Sequence, residues 1–344
     1  MKTLSITLIV KNEEHNLERL LPMLTFADEV VIVDTGSTDS TVEVAGRYTD
    51  KVYSFAWCDD FAKARNCAID KATCEYIMWL DADDILLPAT QSALHRWKQS
   101  NDNADVYYMR YSMQSEFPFW FWRERIVKRC DKCRFKGFIH EAIVPFGTVK
   151  YLDCEVTHKP TESHEERNLC IYEKAIEQRR RFSLRDKFYY ARTLVECDKA
   201  ETALPILHKF AANPRAYNVD RVDAYRLLAN IALSKANTDA ALNYLAKSIK
   251  ILPPSGEICC LFGQIYMEKE LYQHAAQWYR FALSAKSQSG FINEYYVNFL
   301  PNVQLSVCLW RLGDRRGAKQ YHDAAKALYP RHPTVLANDR WFKT

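Results

Sequence analysis

The chain has 344 residues and a net charge of +4 with both signs abundant, which argues against a nucleic-acid protein or a polybasic membrane anchor. No run approaches the ~20 apolar residues of a membrane span. The apolar start at Thr3–Val10 runs straight into Lys11, Glu13 and Glu14, unlike a cleaved leader. The 11 cysteines are odd in number and scattered, as in a cytoplasmic protein with reduced thiols.

From the N-terminus, strand-like and helix-like segments alternate. Thr3–Val10 is apolar and short, as a strand. A helix through Leu17, Leu20, Leu21 and Leu24 opens at Lys11–Glu14. Glu29–Val33 is a second strand, ending in a turn at Asp34–Thr41 where Gly36 permits a tight bend and Ser37 or Asp39 is placed to cap the next helix. Lys51–Ala56 is a third strand, and Phe61–Ala72 a helix bearing Lys63, Arg65 and Asn66. The fourth strand, Tyr76–Leu80, is apolar throughout and runs into Asp81, Asp83 and Asp84. This alternation predicts a mostly parallel sheet with helical crossovers, and therefore Asp34 and Asp81–Asp84 on one carboxyl edge. Carboxylates so close together repel unless a cation intervenes, and hard oxygen ligands suit Mg²⁺ or Mn²⁺ bridging to a phosphate. The plainer alternative is an Asp-rich turn in which Asp84 or a neighbour caps the helix starting near Pro88. Neither Gly-x-Gly-x-x-Gly nor Gly-x-x-x-x-Gly-Lys-Ser/Thr occurs, which excludes the dinucleotide and P-loop fingerprints.

Four stretches in order, Ile6–Glu14, Val33–Asp39 (Val-Asp-Thr-Gly-Ser-Thr-Asp), Ala62–Asn66 and Leu80–Asp83 (Leu-Asp-Ala-Asp), resemble family 2 glycosyltransferases of the GT-A fold. The resemblance implies a nucleotide-sugar pocket lined by Val10, Asn12, Glu14, Asp34, Gly36 and Ser37. It implies further that Asp34 binds the base, that Arg65 holds ribose or diphosphate, and that Asp81 and Asp83 hold the metal and the sugar nucleotide, with a UDP-sugar as the expected donor. Phe135–Ile143 is similar to the Gly-x-x-His-Glu segment of the branch that includes lipopolysaccharide-core glucosyltransferases and glycocin peptide S-glycosyltransferases. It makes Glu141 the candidate base, with His140 as neighbour or alternative, against an ordinary ion pair. In that branch a histidine placed as His158 is, before Lys159-Pro160, sits near the diphosphate or metal. The aromatic and Arg-rich stretch Tyr107–Lys128 is where the acceptor would bind, or else the core of a two-stranded flap. Cys130 and Cys133 with His140 and Cys154 could be stretched into a zinc site, but one Cys-x-x-Cys lacks the doubled pattern.

From Glu165 the chain reads as helices. Ala229, Ala241, Tyr244 and Ser248 recur 34 residues later as Gly263, Ala275, Trp278 and Ala282, and again as Ser306, Ala318, Tyr321 and Ala325, with Ala191 and Ala203 before them. That period with small residues is the tetratricopeptide signature, with insertions such as Ser287–Tyr296 in loops. The expected organisation is a GT-A α/β domain over 1–160, a linker helix over 161–186 and a tetratricopeptide-like solenoid over 187–344. The expected activity is inverting, metal-dependent transfer of a sugar to a peptide, protein or saccharide acceptor. The repeats would recognise a polypeptide or form a homodimer. An inactive scaffold that binds partners through its repeats is one rival reading. A nucleotidyltransferase is another, disfavoured because Lys11–Glu14 has no glycine.

Overall fold

The computed structural model describes residues 1–117, 119–159, 164–285 and 292–342. Pro160, the first residues of the expected linker at 161–163 and the first half of the insertion placed at Ser287–Tyr296, 287–291, lie outside the described residues. The chain divides into two compact units, Met1–Glu116 with Trp120–His164, and Phe117–Phe119 with Glu165–Thr344.

In the first unit, strands β1 (Leu4–Val10), β2 (Glu29–Asp34), β3 (Val52–Ser54) and β4 (Tyr76–Trp79) are joined by helices α1 (Glu14–Leu20), α2 (Thr41–Gly46) and α3 (Phe61–Lys71). Then come β5 (Asp84–Ile85), α4 (Pro88–Gln99), β6 (Val106–Met113), β7 (Phe119–Lys128), the short pair β8 (Phe135–Lys136) and β9 (Ala142–Ile143), and β10 (Val149–His158). Eight strands of this unit lie in one sheet, in the order β3-β2-β1-β4-β7-β6-β10-β5. β1 pairs in parallel with β2 and β4, and β2 with β3, whereas β7 runs antiparallel to β4. All four residues of β4 are buried, because side chains pack on both faces of the sheet. The parallel register puts Asp34 opposite Val10, so the first two strand ends share an edge.

Three local expectations change. The helix after β1 gives way at Leu21–Met23 to a 3₁₀ turn containing Pro22, yet Leu17, Leu20, Leu21 and Leu24 are all buried as their spacing requires. Neither Ser37 nor Asp39 caps α2: the cap position is Ser40, without a side-chain bond, while Asp39 accepts from the backbone and hydroxyl of Thr41. Asp84 does not cap α4, whose cap position is Leu87; it is fully buried in an ion pair with Arg125.

The second unit begins with α5 (Glu165–Glu177), which ends well short of the linker helix expected to run to 186 because Arg179 adopts φ +57°. A Ser183–Asp186 capping box then starts α6 (Leu184–Glu196). Successive pairs follow: α6 with α7 (Ala200–Ala211), α8 (Asn218–Ser234) with α9 (Thr238–Ile249), and α10 (Gly256–Glu268) with α11 (Tyr272–Ser284). A π-helical turn at Tyr295–Phe299 leads to α12 (Leu300–Arg311) and α13 (Arg315–Leu328), and α14 (Pro333–Asp339) ends the series. The recurring small residues are the contact points: Ala191, Ala203, Ala229, Ala241, Ala275, Ala282, Ser306 and Ala318 are each 0% exposed. This is a tetratricopeptide-like helical array. At Gly263 a Cβ would come within 2.6 Å of the buried Tyr279 ring. Gly263→Ala is therefore expected to lower unfolding stability despite its better helix propensity, by roughly 1–3 kcal/mol of overpacking less about 1 kcal/mol. Urea denaturation followed by circular dichroism checks this; an unchanged midpoint would mean that the helices separate freely.

Candidate functional site

The loop after β1 and the turn after β2 are tied together. Asn12, at φ +57°, donates its backbone N–H to Ser37 Oγ (2.9 Å), and its side-chain oxygen accepts from the Thr38 N–H (2.8 Å). Asp34 accepts from the N–H groups of Gly36 (3.1 Å) and Ser37 (3.2 Å) and from the Ser37 hydroxyl (2.5 Å). Gly36 has φ +105°, which a side chain would strain. Glu14 accepts from the Ser40 N–H (2.9 Å), and the Val10 carbonyl accepts from the backbone and hydroxyl of Thr35. The six residues expected to line a nucleotide pocket thus lie together on one edge.

Helix α3 is capped by Asp60, whose carboxylate accepts from the Lys63 N–H. Its Asn66 makes two bonds with the Phe135 backbone (3.0 and 2.9 Å) and so holds β8 against the helix. Beyond β8, Gly137 (φ +94°) and His140 (φ +52°) turn the chain so that Glu141 meets the same helix. Arg65 donates through Nε to Glu141 Oε1 (2.5 Å) and through a terminal nitrogen to Asp81 Oδ1 (2.6 Å). All three side chains are largely buried. Burial by itself would weaken the Arg65 cation, but Asp81 and Glu141 outweigh it and raise its pKa. Burial likewise works against ionised Asp81, yet Arg65, Arg125 and His158 hold its carboxyl well below the usual range.

Behind this pair stand Asp83, Asp84 and His158. Among the described residues, the group of three or more metal-capable side chains is Asp81, Asp84 and His158, with ligand atoms within 4.8 Å of one another. The structure gathers Asp84 into this group in addition to the expected Asp81 and His158. Asp83 falls outside it, although its Oδ1 is 3.2 Å from His158 Nδ1. Cys130, Cys133, His140 and Cys154 form no such group among the described residues, so a zinc site there is not supported. Asp84 Oδ1 and His158 Nδ1 are buried 3.4 Å apart, and neither has a partner in hydrogen-bond geometry. Burial would lower the His158 pKa, but Asp83 and Asp84 push it up to about 10. The cluster therefore attracts positive charge. Two carboxylates and an imidazole, with buried atoms left unsatisfied, fit a hard divalent cation such as Mg²⁺ or Mn²⁺.

Three further residues contribute, of which Glu13 falls within the stretch Asn12–Glu14 that the resemblance implies lines the pocket. Glu13 is half-buried, and burial first, then the nearby charges of Asp83, Asp81 and Asp39, raises its carboxyl pKa. Arg123 donates to the Glu141 carbonyl (2.9 Å). Arg125 ion-pairs with Asp84 at 3.0 Å. No motif marks the two arginines, because their partners are far away in sequence. The adjacent acidic pair Glu13–Glu14 after β1 was the signal available for Glu13.

Asp34 at the end of β2, Arg65 on α3 and the Asp81–Asp84–His158 group are the polar features of this unit. Residues 5–159 match the model of the family described as Glycosyl transferase family 2. The chain is similar to the prophage-derived glycosyltransferase SunS of Bacillus subtilis, 25% identical over 255 residues covering 68% of this chain and 60% of SunS. It is 36% identical over 106 residues to a TPR repeat-containing protein of Synechococcus elongatus, covering 30% of this chain and 25% of that protein. The chain thus spans a quarter to three-fifths of the length of these relatives. Among solved structures, Staphylococcus aureus TarS residues 1–349 superpose with a TM-score of 0.38 at 15% identity, over 83% of this chain and 93% of that one. No helix among the described residues is long and apolar enough to cross a membrane.

Proposed function

We propose that the chain transfers a sugar, with inversion, from a nucleoside diphosphate sugar, a UDP-sugar in the first instance, to a polypeptide acceptor. The observation that carries this reading is Arg65, shared between Asp81 and Glu141 beside the Asp81–Asp84–His158 group. Asp34, Asn12 and the Ser37 turn would hold the base and ribose. Asp81, Asp84 and His158, with Asp83 beside them, would hold the cation. When bound, Mg²⁺ or Mn²⁺ supplies positive charge to the departing diphosphate. Arg65 adds a fixed guanidinium to the same leaving group, since its planar fork suits paired oxygens. The acceptor nucleophile attacks the anomeric carbon as the carbon–oxygen bond to the diphosphate breaks. Its proton passes to Glu141, whose backbone is held by Arg123. The repeats favour a polypeptide, because paired helices present an extended surface; a saccharide acceptor is the other outcome of an acceptor screen.

Thermal shift with nucleotides and nucleotide sugars, in Mn²⁺ or in EDTA, tests the donor half. A ligand bound only by the native chain stabilises it by about 2.7 kcal/mol at a hundred times its Kd. A rise in Tm of a few degrees is expected for one nucleotide family in Mn²⁺, and it should be smaller in EDTA. No shift with any nucleotide in either condition would refute the assignment.

A further inference from the structure

Arg125 lies on β7 beside the end of β4 and is one of the largest fully buried side chains in the protein. Its guanidinium is sandwiched between the rings of Trp79 (3.8 Å) and Tyr111 (4.1 Å). One terminal nitrogen donates to both the Trp79 carbonyl (3.1 Å) and Asp84 Oδ2 (3.0 Å). Nε and the other terminal nitrogen are buried without hydrogen-bond partners. Such an arrangement is expensive. Desolvating both ions costs several kcal/mol each, and apolar replacements of buried ion pairs are often as stable. Donors left without acceptors add to the cost, while the aromatic cradle offsets part of it. Stability alone therefore does not account for the pair.

Its geometry does. Asp84 Oδ2 also accepts from the Asp81 N–H (3.0 Å), so that oxygen is fully used by Arg125 and the loop. The remaining oxygen, Oδ1, is the one directed at His158. The same guanidinium bonds the last carbonyl of β4, just before Asp81 leaves the sheet. Building on the metal reading above, we infer that Arg125 is a positioning residue for the cation site: it fixes Asp84 relative to Asp81, so that Oδ1 faces the space shared with His158. Its charge persists at any working pH. A lysine keeps the charge but not the planar guanidinium held between the Trp79 and Tyr111 rings, which fixes where the donating nitrogen sits.

The test compares the full-length wild type with Arg125→Lys, using calorimetric titration of Mn²⁺ in the presence of UDP, and transfer rates over a range of Mn²⁺ concentrations. Changes in groups that support metal ligands typically cost about 10- to 100-fold in metal affinity. The expected result is a loss in that range, with turnover recovering to within about twofold at saturating Mn²⁺. UDP binding in EDTA should be unchanged. Equal Mn²⁺ affinity in a folded Arg125→Lys chain overturns the inference and leaves the metal reading intact. So does a turnover loss that Mn²⁺ cannot restore, the mark of a merely structural role. If Arg125→Lys does not fold, Asp84→Glu serves instead, since it keeps the ion pair but moves the carboxylate by one methylene. Weakened Mn²⁺ binding there supports the inference, and unchanged binding overturns it. A wild-type chain that takes up no Mn²⁺, with or without UDP, overturns the metal reading and this inference together.

Discussion

Glu141→Gln is expected to abolish most transfer while leaving donor binding almost intact. The amide occupies the same space and can still meet Arg65, but it cannot accept a proton. Removing a general base of this kind costs about 10²- to 10⁴-fold in turnover. Donor affinity should stay within a few-fold, because Arg65 keeps Asp81 at 2.6 Å. Steady-state transfer assays beside calorimetry with the nucleotide separate the two effects. Near wild-type transfer by a folded Glu141→Gln chain would move the proton acceptor elsewhere, with His140 the first alternative.

Arg65→Ala is expected to harm both stability and function. It leaves Asp81 and Glu141 facing each other in a largely buried site with their shared cation removed. Breaking a buried pair in this way typically costs about 3–5 kcal/mol. The sign of the pH dependence follows from Asp81, whose carboxyl is held below its ordinary value in the native state. Its contribution is complete above the unfolded carboxylate value of about 4 and is lost as the pH falls through the lowered native value. The stability gap between wild type and Arg65→Ala should therefore be widest near neutrality and shrink in acid. Urea titrations at a series of pH values measure it. On activity, loss of a fixed charge aimed at the leaving group is worth about 10²- to 10³-fold. A variant equally stable at neutral pH would mean that water or rearranged side chains neutralise the two carboxylates.

The elements that could be read in advance share a physical trait: their information is local. The unbroken apolar run of β4 could only be a buried strand, and its carboxylates had to emerge on the edge that also carries Asp34. Small residues at a fixed spacing mark helix contacts, and those contacts exclude larger side chains whatever the rest of the chain does. The helix end at Glu177 was misjudged because nothing in the composition distinguishes Arg179 at φ +57° from Arg180 beside it. The expected cap at Ser37 or Asp39 failed for a related reason. Both side chains had competing partners brought in by the fold: Ser37 is taken by Asp34 and Asn12, and Asp39 by Thr41.

By itself the sequence determined the alternation of strands and helices, the placement of Asp34, Arg65, Asp81 and Asp83 in a glycosyltransferase pattern, and the helical repeats with their small contact residues. Periodicity and short motifs carry all of these within a few turns or strands. Only the tertiary structure decided which charges meet. Arg65 reaches Glu141 across 76 positions, and Arg125 reaches Asp84 across 41. The strand order β1-β4-β7 puts Arg125 beneath the acidic loop, and the turn at Gly137 to His140 swings Glu141 onto α3. Neighbours brought in from afar set protonation as well: Arg65 and Arg125 lower the Asp81 carboxyl, and Asp83 and Asp84 raise His158, because opposite charge close by in a buried site outweighs the cost of burial.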